Sequence, residues 1–477
     1  MNRYKKLASN TIIFAIGSFS SKILSILLLP IVTGALQNEF GPADLVQQTA
    51  NVLIPIVFLQ IFSGVIRFAL DKDSNKKEIF TIGIRTMMQG YLIFLLFGYP
   101  ISLITINGFR LGDYIILIYV FVLTSGTRQL CQQFVRGCGN VKLFAADGIL
   151  TTGTMLLFNV LFLGPLHMGI TGYILAIIAS DFLSIIFFTV TKKLWRYVTF
   201  KKVNKETKTA MIKYSVPMMP TIILWWVMSV SDRYMVQGFI NEGATSLYAA
   251  ASKIPNLIVM FSTIFIDAWQ LSAVDEYDSS DRAEFFSKVF RVYSGGVLVV
   301  ASGLTMFCQI LSKILVPKLY DSWQYVPILV MATCTTCFVN FLGSIYMAEK
   351  KSNMAMVTAF AGALTNVVLN LILIPRIGAA GAAIATVIAY MVVLISRAVN
   401  TKKYVKVNFK TPLMIGEYMI LIAQCCVMLI LKSGILMYGI EAGLVLLMIA
   451  INYRPILELA TLMINKYLKR FKKNSTD

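Results

Sequence analysis

The stretch Tyr214–Val236 (YSVPMMPTIILWWVMSVSDRYMV), followed by Leu247–Phe261 (LYAAASKIPNLIVMF), decides how this chain is read. Each lies in a run long and apolar enough to cross a bilayer, yet the first carries Pro217, Pro220, Trp225, Trp226, Asp232 and Arg233, and the second carries Lys253 beside Pro255. Charge at membrane depth is costly and is kept where it faces water or a partner, so these residues mark a functional region.

Composition agrees. Over 477 residues the chain is 57% hydrophobic and only 14% charged, with a mean hydropathy of +0.74, which no single soluble core accommodates. The net charge of +20 does not point to nucleic acid, because Lys and Arg sit in short segments between apolar runs. Seven cysteines are scattered, and Cys334-x-x-Cys337 lies inside an apolar run with only His167 elsewhere to help, so neither a metal site nor a disulfide framework is indicated. The start, Met1–Asn10, has the charge of a signal-peptide n-region. The apolar run behind it continues to about Leu36, which reads as a retained first span.

About fourteen spans of roughly 20 residues follow in order, near 9–34, 45–70, 79–104, 113–136, 143–164, 169–190, 212–236, 244–270, 289–316, 325–348, 354–375, 379–399, 413–431 and 435–453. Counting sides from a cytoplasmic start gathers the basic segments on one face: Arg3–Lys6, Lys72 with Lys76 and Lys77, Lys192–Lys208, Lys350 with Lys351, Lys402–Lys410 and Lys466–Lys473. The other face keeps Arg110, Lys318, Arg376 and Lys432, so both termini are expected in the cytoplasm.

The chain repeats itself at an interval of about 200 residues. Gly41–Pro55 lies over Gly243–Leu257, Asn140–Ala146 over Asn353–Ala359, and Asn159–Ala176 over Asn370–Ala385, the last with a Gly-x-x-Gly kept and the loop two residues shorter. Six spans per repeat predict an all-α integral membrane protein of two pseudo-symmetric six-helix lobes plus two C-terminal helices. The expected divisions are an N-terminal lobe over 1–190, a cytoplasmic basic linker over 191–211, a C-terminal lobe over 212–399, and two further helices with a basic tail over 400–477. Repeats with an even number of spans are related by an axis along the membrane normal, and a mid-membrane cavity is the expected transport site.

Polar residues inside the spans describe that cavity. Ser18, Lys22 and Ser25 share one helical face, as do Gln60, Ser63 and Arg67, and Thr124, Arg128 and Gln132. Lys253, Asn256 and Asp267 share another, with Pro255 expected to bend the helix. Arg85 and Arg291 enter from cytoplasmic helix ends. The excess at depth reads as cationic, with Asp181, Asp232 and Asp267 as the acidic counterparts. Fixed cations suit an anionic solute, and guanidinium groups match phosphate in a two-pronged geometry. Competing readings stand beside this one: Arg67, Arg85, Arg291 and Asp267 are near enough to the interface to snorkel, Asp181 is either an ion site or a counter-ion, and the Asp232–Arg233 pair is either a gate or a local anchor.

The patterns Pro217-x-x-Pro220, Trp225-Trp226, Ser229-x-Ser231-Asp232-Arg233-Tyr234 and Ser252-Lys253-Ile254-Pro255-Asn256, with Leu369–Tyr390, closely resemble the Wzx-type oligosaccharide and polysaccharide flippases of the multidrug/oligosaccharidyl-lipid/polysaccharide exporter superfamily. The resemblance runs the length of the chain and implies a MATE-like exporter fold in a bacterial plasma membrane. It implies no enzyme activity and no cofactor, with H⁺ or Na⁺ as candidate coupling ions. The implied substrate is an undecaprenyl-pyrophosphate-linked oligosaccharide, flipped to the outer leaflet by alternating access for capsule, O-antigen or exopolysaccharide biosynthesis. Polysaccharide polymerase and glycosyltransferases are the candidate protein partners. On this reading Lys22, Arg67, Arg85, Arg128 and Lys253 are expected to meet the pyrophosphate, and Asp181, Asp232, Arg233 and Asp267 to gate or couple. A lipid II flippase shares the pyrophosphate-lipid chemistry; a cation-coupled multidrug antiporter would instead line its cavity mainly with carboxylates.

Overall fold

The computed structural model describes residues 26–71, 74–275, 281–349 and 352–474. Lys22, with Ser18 and Ser25, lies outside them, as does the side chain of Asp267. Among the described residues eleven helices are long and apolar enough to cross a membrane, or twelve if one bent pair counts as a span. The chain is a multi-pass membrane protein, and its helices fall where hydropathy predicts. Two compact units form: one of the described residues up to Ala250 with Ile314–Tyr320, the other of Ala251–Lys313 with the described residues from Asp321 onward.

In the first unit the chain is helical from Ile26 through a 3₁₀ turn at Gln37–Glu39 into α1 (Phe40–Val57), and the stretch Ile26–Val57 with α2 (Ile61–Ala69) makes the bent pair. The bend is 60° and follows Pro55, which has no N–H to donate and crowds the preceding turn. Leu59 and Gln60 cross the break with left-handed φ of +52° and +50°. Helix α3 (Lys76–Phe97) starts at Asn75, whose side chain accepts the Glu78 N–H at 3.3 Å. A two-residue hairpin, β1 (Thr105–Ile106) with β2 (Phe109–Arg110), turns at Asn107 and Gly108 and leads to α4 (Ile115–Gly137). Then come α5 (Val141–Leu163) and α6 (Gly169–Lys192).

The basic connection does not stay a loop. It forms a turn at Leu194–Tyr197 and then α7 (Lys205–Ser215), capped by Asn204 accepting from Glu206 N–H at 2.7 Å. The two prolines of the opening motif explain the next step: Pro217 and Pro220 lie in the first turns of a short 3₁₀ segment and of α8 (Met219–Phe239), where a missing N–H costs nothing. Helix α9 (Glu242–Ala251) follows. Residues 252–255, Lys253 and Pro255 among them, form a turn before α10 (Asn256–Asp275), the break anticipated at Pro255.

The second unit continues with α11 (Arg282–Met306), α12 (Cys308–Leu315, whose last two residues fall in the first unit), α13 (Val326–Ala348), α14 (Ser352–Ile377), α15 (Ala379–Thr401), α16 (Thr411–Ile430) and α17 (Ile435–Asn474). Its core is α13, buried nearly all round. Phe341 on α13 stacks on Trp269 with centroids 4.7 Å apart, and the indole N–H, which would be costly to bury alone, donates to Ser344 Oγ at 2.8 Å.

The duplication is visible in backbone detail. Gly169 and Gly378 correspond in the sequence repeat, and both take positive φ, +54° and +66°, just ahead of or at the start of the last helix of each repeat. Three residues on, Gly172 and Gly381 each lie against the preceding helix: a Cβ on Gly172 would come within 3.2 Å of Phe162 Cβ, and one on Gly381 within 2.7 Å of the Leu373 carbonyl. Phe162 and Leu373 are themselves repeat partners, as are the fully buried Asn159 and Asn370. Because the obstacle at Gly381 is backbone, Gly381→Ala is expected to destabilise the protein by about 1–3 kcal/mol, read as a lower unfolding temperature in detergent. Gly416→Ala, on α16 with open space around it, is the control and should be neutral or mildly stabilising.

Candidate functional site: a polar cavity in the first unit

A cavity of about 350 Å³ opens within the first unit between α1, α4, α5 and α6. Helix α4 supplies one wall through Phe121, Ser125, Arg128, Gln129 and Gln132, residues that recur at helical spacing and so share a face. Gln47 and Asn51 on α1 stand one turn apart on another wall. Thr151 and Met155 on α5, with Ser180 and Asp181 on α6, complete it. Thr124, which the sequence stripe includes, bonds back to the Val120 carbonyl at 3.0 Å and is not part of the lining.

Beside the cavity one guanidinium meets two carboxylates. Arg128 Nη1 lies 3.2 Å from Asp181 Oδ1, its Nη2 lies 3.3 Å from Asp147 Oδ2, and its Nε donates to Ser184 Oγ at 3.2 Å. Ser125 and Thr151 donate to Asp181 and Asp147 respectively, and Ser184 also donates to Asp147. The side chain of Arg128 keeps a quarter of its exposure toward the cavity, while Asp147 is fully buried. Arg128 therefore lines the cavity as expected but is not an uncompensated cation. Asp181 is its counter-ion, and Asp147, absent from the sequence reading, is a second. Asp147 sits inside an apolar span, so the depth argument that picked out Asp181 applies to it equally.

A second polar cluster in the same unit joins α1 to α8 and α9, helices from opposite halves of the sequence repeat. Arg233 Nη1 pairs with Asp44 Oδ2 at 2.6 Å, both groups buried. Asp232 accepts Tyr248 O–H at 2.5 Å and the Arg233 N–H at 2.9 Å. Thr49 and Tyr234 share a hydrogen bond of 2.7 Å, and Trp226 donates its indole N–H to the Gln48 carbonyl at 3.1 Å. The Gly41 N–H donates to Ser246 Oγ at 2.7 Å, an approach closed to any residue with a Cβ, which would lie 2.6 Å from Ser246 N. The deep position of Trp226 thus reflects a packing and hydrogen-bonding role. Asp44 falls just before the second span as drawn from hydropathy, which hides it from a search for charges at depth.

Of the other candidates described in the first unit, neither Arg67 nor Arg85 lines the cavity. Arg85 Nη2 donates to the carbonyls of Thr199 and Lys201, each at 3.0 Å, and so anchors the connection between α6 and α7. Arg67 is exposed at the end of α2, in the manner of a snorkelling side chain. Lys253 sits half-buried in the turn before α10. In the second unit Arg291 pairs with the buried Glu417 at 2.8 Å, and Arg397 donates to the Val339 carbonyl at 2.8 Å and to Thr358 Oγ1 at 3.1 Å. The buried Glu441 accepts from Gln424 at 2.8 Å. The sequence counts Asp181, Asp232 and Asp267 as the acidic groups at depth; Asp44, Asp147, Glu417 and Glu441 join them, offsetting the cationic excess the sequence predicts.

A family described as "Polysaccharide biosynthesis protein" matches residues 7–270, more than half of the chain. No curated protein sequence matches. Among solved structures, the lipid II flippase MurJ in an inward closed conformation superposes with a TM-score of 0.67 at 13% identity, covering 96% of this chain and 100% of that one. A point mutant of the Vibrio cholerae MATE transporter VcmN gives a TM-score of 0.59 at 13% identity over 84% of this chain and 98% of its own. An inward-facing multidrug resistance MATE family transporter of the MOP superfamily gives 0.58 at 13% identity over 86% and 98%. At such identities the likeness is one of fold.

Proposed function

Because the chain belongs to the polysaccharide biosynthesis protein family, we propose that it is a flippase carrying an undecaprenyl-pyrophosphate-linked oligosaccharide from the cytoplasmic to the outer leaflet of a bacterial plasma membrane. The observation that carries this reading is the polar cavity among membrane-spanning helices, since a hydrophilic head group needs such a surface to cross the hydrocarbon layer. The lipid tail stays in the bilayer while the head group passes by alternating access. Both termini lie in the cytoplasm on the charge bias of the connecting segments.

Lys22, Arg67 and Lys253 remain the proposed contacts for the pyrophosphate. Arg85 and Arg128 support the path indirectly, one by holding the connection before α7 and the other by pairing with Asp147 and Asp181. The coupling ion is H⁺ or Na⁺, with the carboxylates beside Arg128 as its proposed stopping point. The Asp44–Arg233 pair joins the two sequence repeats and acts as a latch, with the neighbouring Asp232 held by Tyr248. Polymerase and glycosyltransferases would act on either side of the transport step.

Deleting the protein and asking which lipid-linked oligosaccharide builds up on the cytoplasmic leaflet tests this reading. Accumulation of a polyprenyl-pyrophosphate oligosaccharide is the expected result. Build-up of lipid II with arrested wall synthesis would redirect it to peptidoglycan, and no lipid-linked intermediate at all would defeat it.

A further inference from the structure

We propose that the cavity of the first unit is a subsite for an uncharged sugar ring and that it discriminates against phosphate and acidic sugars; this rests on the flippase reading and names the part of the head group recognised there. The chemistry of the wall is carboxamide chemistry. Gln129 and Gln132 face the cavity and hold no hydrogen bond among the described residues, and Gln47 accepts Tyr173 O–H at 2.8 Å through Oε1, which leaves its NH₂ available. A carboxamide offers two donors beside an acceptor, the pattern that a pair of neighbouring sugar hydroxyls can answer from both sides. Such groups are poorly served by hydrocarbon, so at membrane depth they call for water or a hydroxylated solute.

The charge pattern separates this ligand from a phosphate. Two carboxyl groups converge on the single guanidinium of Arg128, so no positive charge is left over while either acid is ionised. An anion entering would approach the open edge of a group already neutralised, with Asp181 itself in the lining. A neutral ring meets no such penalty. Phe121 and Met155 supply apolar surface for the C–H face of the ring. The volume, about 350 Å³, falls at the lower end of the roughly 300–1,000 Å³ typical of small-ligand pockets, enough for a monosaccharide unit and not for a whole oligosaccharide.

The test uses the purified full-length protein in detergent and measures binding of four probes: undecaprenyl pyrophosphate, and the same lipid carrying one glucose, one N-acetylglucosamine or one glucuronic acid. At least one uncharged sugar is expected to raise affinity about tenfold over the bare lipid, and glucuronic acid to give no gain. In the Gln129→Leu/Gln132→Leu variant that gain should fall to less than about threefold while the affinity for bare lipid and the unfolding temperature stay unchanged. A gain that survives in the variant, a preference for glucuronic acid, or equal binding of all four probes to the wild type would each overturn the subsite while leaving the flippase reading in place. A parallel loss for bare and glycosylated lipid in the variant would overturn it too, reassigning the two glutamines to the pyrophosphate. Failure of the wild type to bind any of the four would overturn the flippase reading and the subsite together.

Discussion

Arg233→Ala is expected to destabilise the protein by about 3–5 kcal/mol, the cost of leaving a buried carboxylate without its partner. Asp44 is 1% exposed at the side chain and its pairing oxygen lies 2.6 Å from the guanidinium, so no water stands ready to replace the lost charge. The effect should exceed that of Asp44→Ala. Removing Asp44 leaves Arg233 the attraction of Asp232, whereas removing Arg233 takes from the buried Asp44 the guanidinium that balances its charge. Replacing both partners together, as Asp44→Leu/Arg233→Met, should recover a large part of the loss, because a buried pair exchanged for apolar groups of similar volume is often close to neutral. Thermal unfolding of the wild type and the three variants in one detergent measures these differences. Equal stability of Arg233→Ala and the wild type would show that the pair carries no energetic weight and would remove the case for a latch at this position.

Arg128→Gln is expected to be the next most damaging change, near the lower end of the same range of about 3–5 kcal/mol. The sign follows from counting charges: Asp147 and Asp181 would face one another without the guanidinium between them. The magnitude is tempered because the Arg128 side chain is 25% exposed toward the cavity, where water can screen what remains. Adding Asp147→Asn to Arg128→Gln should therefore restore stability, and adding a substitution at a distant surface site should not. A different result discriminates between the two roles of this arginine. If Arg128→Gln kept wild-type stability and lost only export, its guanidinium would act on the substrate, as the depth of the residue suggests when the chain is read without its fold.

The helices were legible because hydropathy is a property of consecutive residues. The eighth span is instructive: Pro255 announced a break, and residues 252–255 form a turn between α9 and α10. The same held for the repeat. Gly169 and Gly378 stand at matching places in the sequence, and their positive φ explains why only glycine serves at both. Charge at depth identified Arg128, Asp181, Asp232 and Arg233 as unusual, yet that criterion ranks residues one at a time. It could not tell an open cation from a paired one, and it passed over Asp44, whose place at a helix start looks like a loop.

Local patterning thus carried the membrane class, the approximate places of most spans and the duplication, because span length and glycine geometry are each settled within a few neighbouring positions. The roles of the charges came from packing. Asp147 and Asp181 reach Arg128 across 19 and 53 residues of chain, and Asp44 reaches Arg233 across 189. Whether a buried charge is open to a ligand depends on what stands within a few ångströms of it, and that distance is set by how helices far apart in the chain are folded against each other.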